Sequence, residues 1–215
     1  QNGDVFIFFG NSGKYATSGS PKEAFSYSDL IIQGNDFTLS LLSSKGFGSS
    51  VERIGDFDRD GIEDIAVSAP DSAYDGALGA GALFVFTSSM GFASQSVLQS
   101  SSADYIFTGI QTDQAFGTSF EYSLNLDGQG SGGLAFSDDF IVGGPGTGEV
   151  FVFLGPSSNY LKGVIPLSFA SGTLKGQSND SSFGYTLTHL KDIDGDGLDD
   201  IAIGSIRDNT NKAYI

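Results

Sequence analysis

The chain has 215 residues, 39% of them hydrophobic and 13% aromatic, enough to bury a sizeable core in one large domain or a repeat array, which excludes a disordered chain. Its 26 acidic residues against 10 basic ones give a net charge of −16, which repels nucleic acid and anionic membrane surfaces and favours cationic partners. Cysteine is absent, which excludes disulfides, thiolate zinc sites and cysteine nucleophiles, and apolar runs of about seven residues fall far short of the roughly 20 that span a bilayer.

Thirty-one glycines, many serines and clusters of β-branched and aromatic residues predict an all-β chain of short strands and many turns. Gln1-Asn2-Gly3 lacks the basic flank and apolar segment of a signal peptide, as expected of a mature form or a piece of a longer polypeptide. The first predicted strand is the unbroken apolar run GDVFIFF, Gly3 to Phe9, whose lack of alternation implies cover on both faces. It recurs as GALFVF at Gly81 to Phe86, as GEVFVF at Gly148 to Phe153 and as the truncated KAYI at Lys212 to Ile215.

A second marker gives the period: Phe47-Gly48, Phe116-Gly117 and Phe183-Gly184 stand 69 and 67 residues apart, each nine residues before an acidic loop that opens at Asp56, Asn125 and Asp192. After each loop comes another apolar strand, beginning at Asp64, Asp139 and Asp200, then the small-residue turns Ser68-Ala69-Pro70, Gly143-Gly144-Pro145 and Gly204-Ser205-Ile206. A last strand closes each unit at LIIQG (Leu30 to Gly34), DYIFTG (Asp104 to Gly109) and GTLKG (Gly172 to Gly176). Each unit therefore holds four strands: A from Phe-Gly onward, B after the acidic loop, C the VFVF run and D the closing strand. Repeated four-stranded units with buried strands predict the blades of a β-propeller. One propeller segment spans 1–215, with units at roughly 1–36 (strands C and D only), 37–110, 111–176 and 177–215 (partial). The excess length over common propeller repeats falls in glycine- and serine-rich loops such as Asp71 to Gly81 and Ser88 to Ala103, where binding would reside.

The acidic loops carry the chemistry. DFDRDGIED, Asp56 to Asp64, and DIDGDGLDD, Asp192 to Asp200, place aspartates at the first, third, fifth and ninth positions and glycine at the sixth, a spacing that converges oxygen ligands on a hard cation. An EF-hand would need a glutamate at the twelfth position, which here is Val67 or Ile203 inside a strand, and magnesium demands tighter octahedral geometry than such a loop offers. In the middle loop Asn125, Asp127 and Gln129 take the odd positions and six extra residues push the closing aspartate to Asp139, making it the weaker third candidate.

Taken together, Phe-Gly, the calcium-type loop, the apolar strand and the small-residue turn, in register along nearly the whole chain, resemble the FG-GAP repeats of the integrin α-chain β-propeller. The resemblance implies a seven-bladed propeller, of which about three blades' worth of strands are present. It implies Ca²⁺ bound by Asp56, Asp58, Asp60 and Asp64 with the Ile62 carbonyl, and by Asp192, Asp194, Asp196 and Asp200 with the Leu198 carbonyl. It also implies a non-catalytic, extracellular or cell-surface adhesion or assembly module. Its loops would bind protein, glycan or neighbouring subunits, with no nucleic acid and no membrane insertion. The alternatives are a lectin, or an accessory propeller of a secreted hydrolase.

Other residues read as structural. His189, the only histidine, has no nucleophile elbow to serve. The carboxylate pairs Asp71/Asp75 and Asp138/Asp139 read as solvated loops rather than a glycosidase pair. Asn179-Asp180-Ser181 is a glycosylation sequon, meaningful in a protein secreted by a eukaryote. Tyr15, Tyr27, Tyr74 and Tyr160 fall in predicted loops and are candidates for a partner-contact surface.

Overall fold

The computed structural model describes residues 2–10, 23–35, 42–94, 96–128, 139–155, 160–177 and 182–206. Tyr15, the 129–138 stretch, the sequon at Asn179 and the Lys212 to Ile215 strand lie outside the described residues. In chain order the strands are β1 (Asp4–Ile7), β2 (Leu30–Gln33), β3 (Val51–Arg53), β4 (Ile65–Ala69), β5 (Ala82–Phe86), β6 (Val97–Gln99) and β7 (Tyr105–Thr108). They continue as β8 (Ser119–Leu124), β9 (Asp139–Gly144), β10 (Glu149–Phe153), β11 (Gly163–Pro166), β12 (Gly172–Lys175), β13 (Phe183–Lys191) and β14 (Asp200–Ser205). Ala24–Tyr27 is the one α-helical turn among the described residues, beside a few short 3₁₀ turns.

The strands form four sheets, ordered β1-β2-β6, β11-β7-β5-β4-β3, β12-β10-β9-β8 and β13-β14. In the second and third, strands A to D run as an antiparallel meander, β3-β4-β5-β7 and β8-β9-β10-β12. This is an all-β, partial β-propeller.

Strand C explains why its sequence is apolar without alternation. Phe84 and Phe86 point into a core shared with Val5, Leu30 and Ile32 of the preceding sheet, while Leu83 and Val85 point into a core shared with Phe140 and Phe153 of the following one. Phe47 fills the first of these cores edge-on to Phe84 and Phe86, with ring centroids 5.3 and 6.3 Å away. Phe116 takes the same place against Phe151 and Phe153 in the next blade.

The glycines that open the first two strand C runs are explained by the same packing. A Cβ on Gly81 would be driven into the backbone of Phe116, 2.8 Å from its carbonyl carbon, and one on Gly3 would strike the carbonyl oxygen of Phe47. The glycine and the Phe-Gly of the next unit are therefore two sides of one close contact between blades.

Two strands depart from the predicted loops. The Ser88 to Ala103 connection contains β6, which leaves its own blade and pairs parallel to β2, outside strand D of the preceding blade. In the next blade β11 does the same to β7. Asn35 and Asp104 fix these additions: Asn35 Oδ1 accepts from Ser100 Oγ at 2.7 Å, and Lys162 Nζ lies 2.6 Å from Asp104 Oδ1. Pro166 is tolerated in β11 because that strand is an edge.

Tyr160 is corrected from a loop contact residue to a core residue. It is 8% exposed, with its ring 5.3 Å from Phe107, and burial pushes its phenol up to about 12. The residues around it are apolar in sequence only at a distance, so its loop position gave no sign of this. Tyr74 is half-buried and bridges the backbones of Leu42 and Ala77, and Tyr27 is half-buried in the helical turn.

Candidate metal loops

The first loop joins β3 to β4. Asp64 stands at its end, fully buried, where strand B leaves the loop. Its Oδ2 accepts the N–H groups of Phe57 at 2.7 Å and Asp58 at 3.3 Å, and its Oδ1 accepts the N–H of Ser88, just past strand C, at 2.7 Å. The carboxylate therefore ties three segments of the blade together. Burial nonetheless pushes its pKa up to about 6, against the lowering effect of those three N–H groups, and Asp58 raises it further.

The other aspartates curl the loop around their own backbone. Asp56 Oδ2 accepts from Gly61 N–H at 2.8 Å, Asp58 Oδ1 from Asp60 N–H at 3.3 Å, and Asp60 Oδ1 from Ile62 N–H at 2.9 Å. Gly61 sits at φ +91° and its third-loop counterpart Gly197 at +92°, the left-handed region that favours glycine. In the third loop Asp192 accepts from Gly195, Asp196 and Gly197 at 2.7, 3.0 and 3.0 Å, Asp194 from Asp196 at 3.1 Å, Asp196 from Leu198 at 2.8 Å, and Asp200 from Ile193 at 2.8 Å.

Two carboxylate triads result. Oxygens of Asp56, Asp58 and Asp64 lie within 4.8 Å of one another, and so do those of Asp192, Asp194 and Asp200. Asp60 and Asp196 are not in the triads; the free oxygen of Asp60 accepts from Ser88 Oγ at 2.5 Å instead. The Ile62 side chain points to solvent at 60% exposure, and Leu198 is half-buried. A cation fits the first triad chemically: Asp56 Oδ1 is buried without a hydrogen-bond partner, an acceptor that a positive ion would satisfy.

In the middle loop Asn125, Asp127 and Asp139 form no such triad among the described residues. Asp139 keeps the tie that Asp64 makes, accepting from Leu126 at 2.7 Å and from Gly155, past strand C, at 2.8 Å. Asn125 Oδ1 accepts from Gly128 N–H at 3.1 Å. The strand-B aspartate thus makes the same tie in a blade whose described residues form no carboxylate triad.

Ser88 is the participant that sequence reasoning missed. Its only sequence signal was its place two residues after strand C, shared with Gly155. Outside the loops, Asp71 and Asp75 are both exposed, Asp138 lies outside the described residues, and Asp139 is occupied by backbone N–H groups. Imidazole Nε2 of His189 lies 3.3 Å from Asp199 Oδ2, out of line for a hydrogen bond, and burial raises the pKa of neighbouring Glu121.

Against known proteins, the family model for the FG-GAP repeat matches residues 47–86 and 183–215. The chain carries FG-GAP repeats of the integrin α type. It is 35% identical over 107 residues to integrin alpha-IIb of Homo sapiens, covering 50% of this chain and 9% of that protein. It is 30% identical over 175 residues to integrin alpha-PS3 of Drosophila melanogaster, covering 79% and 14%, and 28% over 207 residues to integrin alpha-5 of Xenopus laevis, covering 91% and 19%. The FG-GAP chain thus spans less than a fifth of the length of these relatives. Among its described residues no helix is long and apolar enough to cross a membrane.

Proposed function

We propose that this chain is a calcium-stabilised propeller module of an extracellular or cell-surface adhesion or assembly protein, non-catalytic, that binds a protein or glycan ligand or a neighbouring subunit through its loops. The observation that carries the calcium reading is the pair of carboxylate triads, Asp56/Asp58/Asp64 and Asp192/Asp194/Asp200, at the same place in two blades. Calcium takes six to eight oxygens at about 2.3 to 2.6 Å. Three carboxylates with the carbonyls of Ile62 or Leu198, Asp60 or Asp196 after a turn of the side chain, and water can supply that number. When bound, the ion neutralises carboxylates that otherwise repel.

The adhesion reading rests on the similarity to integrin α chains, and the extracellular placement on the same similarity and on the calcium loops. Of the two long loops expected to bind, the Ser88 connection starts beside the aspartate loop, where Ser88 donates to Asp64 and Asp60, and the Asp71 to Gly81 hairpin lies at the other end of the sheet. At the end away from the aspartates, the B–C hairpin and the D–A connection are stitched by Asp113 N–H donating to Leu78 O at 2.8 Å, and they leave Leu78 and Ile110 at 67% and 49% exposure. Those loops are the surface offered to a ligand.

Calorimetric titration with calcium tests the metal reading. Two sites are expected, one lost in Asp58→Ala and the other in Asp194→Ala, with the melting temperature falling on exhaustive chelation. Absence of calcium-linked heat together with an unchanged melting curve would overturn it.

A further inference from the structure

The first and third loops treat their eighth position differently. In the first, Glu63 is exposed and pairs with Arg53 of its own hairpin at 3.1 Å. In the third, Asp199 crosses to the neighbouring blade. Its Oδ2 accepts the N–H of Asn125 at 2.8 Å, and its own N–H donates to the Asn125 carbonyl at 2.9 Å. Asn125 opens the middle loop, whose described residues form no carboxylate triad. A second approach lies beside the first: a Cβ on Gly128 would stand 3.3 Å from Leu198 Cδ2, so the two turns lie close together there. The same Asp199 oxygen faces His189, and the N–H of His189 binds Glu121 on strand β8, so the polar link continues up the seam between the two blades.

Asp199 lies between Leu198 and Asp200, the residues that would offer a carbonyl and a carboxylate to calcium in the third loop. Its backbone position is therefore set by whether that loop is closed around an ion. We propose that the middle loop is held by the third loop in place of a calcium of its own, with Asp199 the positioning residue, so that an ion bound at Asp192 to Asp200 orders the Asn125 to Gly128 turn of the adjacent blade. This rests on the calcium reading of the third loop. Its consequence is cooperative: one ion fixes two neighbouring A–B loops, and the Asn125 to Gly128 turn responds to calcium held in the next blade.

Hydrogen exchange resolved at single amides tests the coupling. In the unmodified chain, chelation is expected to speed exchange at the Asn125 amide at least tenfold. Asp58→Ala, which disables the first loop, should preserve that response, while Asp194→Ala should show the fast rate already in calcium. In calcium, Asp199→Ala should also exchange fast at Asn125, and Asp199→Asn, which keeps an acceptor oxygen, should restore protection. If the amides of Asp196 and Gly197 slow with calcium while Asn125 does not, the coupling is overturned and the calcium reading stands. A calcium response at Asn125 that survives Asp194→Ala overturns it too, because the middle loop would then bind its own ion. If no amide of either aspartate loop responds to calcium, the calcium reading falls and the coupling with it.

Discussion

Replacing Gly81 by alanine measures how tightly the blades are fitted. Gly81 has φ +86°, and the added Cβ would meet the oxygen, nitrogen and carbonyl carbon of Phe116, all backbone atoms of the next blade that no rotamer change can move. The left-handed conformation costs a residue with a Cβ about 1–2 kcal/mol, and forced overpacking adds about 1–3 kcal/mol, so the substitution should cost about 2–5 kcal/mol. Two neighbouring substitutions separate the contributions. Gly76 has nearly the same φ, +84°, with nothing within 4 Å of its Cβ position, so Gly76→Ala should cost about 1–2 kcal/mol from the backbone alone. Gly3 has ordinary φ but the same collision, with the Phe47 carbonyl, so Gly3→Ala reports the overpacking alone. Urea unfolding at fixed calcium gives all three values. If Gly81→Ala is no more costly than Gly76→Ala, the close contact between the opening glycine and the next Phe-Gly does not hold the blades at this spacing.

The two second positions of the aspartate loops should differ sharply: Phe57, 3% exposed among Tyr105, Phe107 and Phe140, should cost about 3–5 kcal/mol as Phe57→Ala, and Ile193, 60% exposed, close to nothing as Ile193→Ala in this chain, both read by urea unfolding. Without calcium, Asp64 introduces a pH dependence: its folded pKa of about 6 lies above the ordinary carboxylate value, so the folded state holds the proton more tightly. That contribution is full below about pH 4 and is lost as pH rises through about 6, amounting to at most roughly 3 kcal/mol. Urea unfolding in chelator at pH 4.5 and 7 should therefore show a smaller pH dependence for Asp64→Asn than for the parent, and an equal dependence would refute the assignment. Leu78→Ser and Ile110→Ser should leave the melting temperature unchanged while weakening capture of a protein ligand in a surface-binding assay; unaltered capture would move the ligand surface elsewhere.

Much of the fold was legible because a propeller blade is a local object. Strands A to D follow one another along the chain, so apolar runs and turns report them directly, and the recurrence of Phe-Gly nine residues before each acidic loop fixes their register. The aspartate loops were legible for the same reason, since all their carboxylates lie within nine residues. Less was visible where contacts cross between blades. β6 and β11 are three and four residues long, too short for a periodic signal, and what makes them strands is the open edge of the preceding blade. Tyr160 looked like a loop residue because the rings that bury it, Phe107, Phe140 and Phe153, come from two other strands and an adjacent blade.

The sequence by itself determined the repeat period, the four strands of each unit and the two loops able to gather carboxylates, because each depends on neighbours a few residues away. Only the tertiary structure decided that Asp60 turns to Ser88, that Asp64 and Asp139 tie strand B to the end of strand C, and that Asp199 leaves its own loop for Asn125. Those choices depend on which backbone N–H or hydroxyl the packing of strand on strand within a blade, and for Asp199 of blade on blade, leaves within about 3 Å of a carboxylate, and partners brought together from up to 74 residues apart leave no spacing to read.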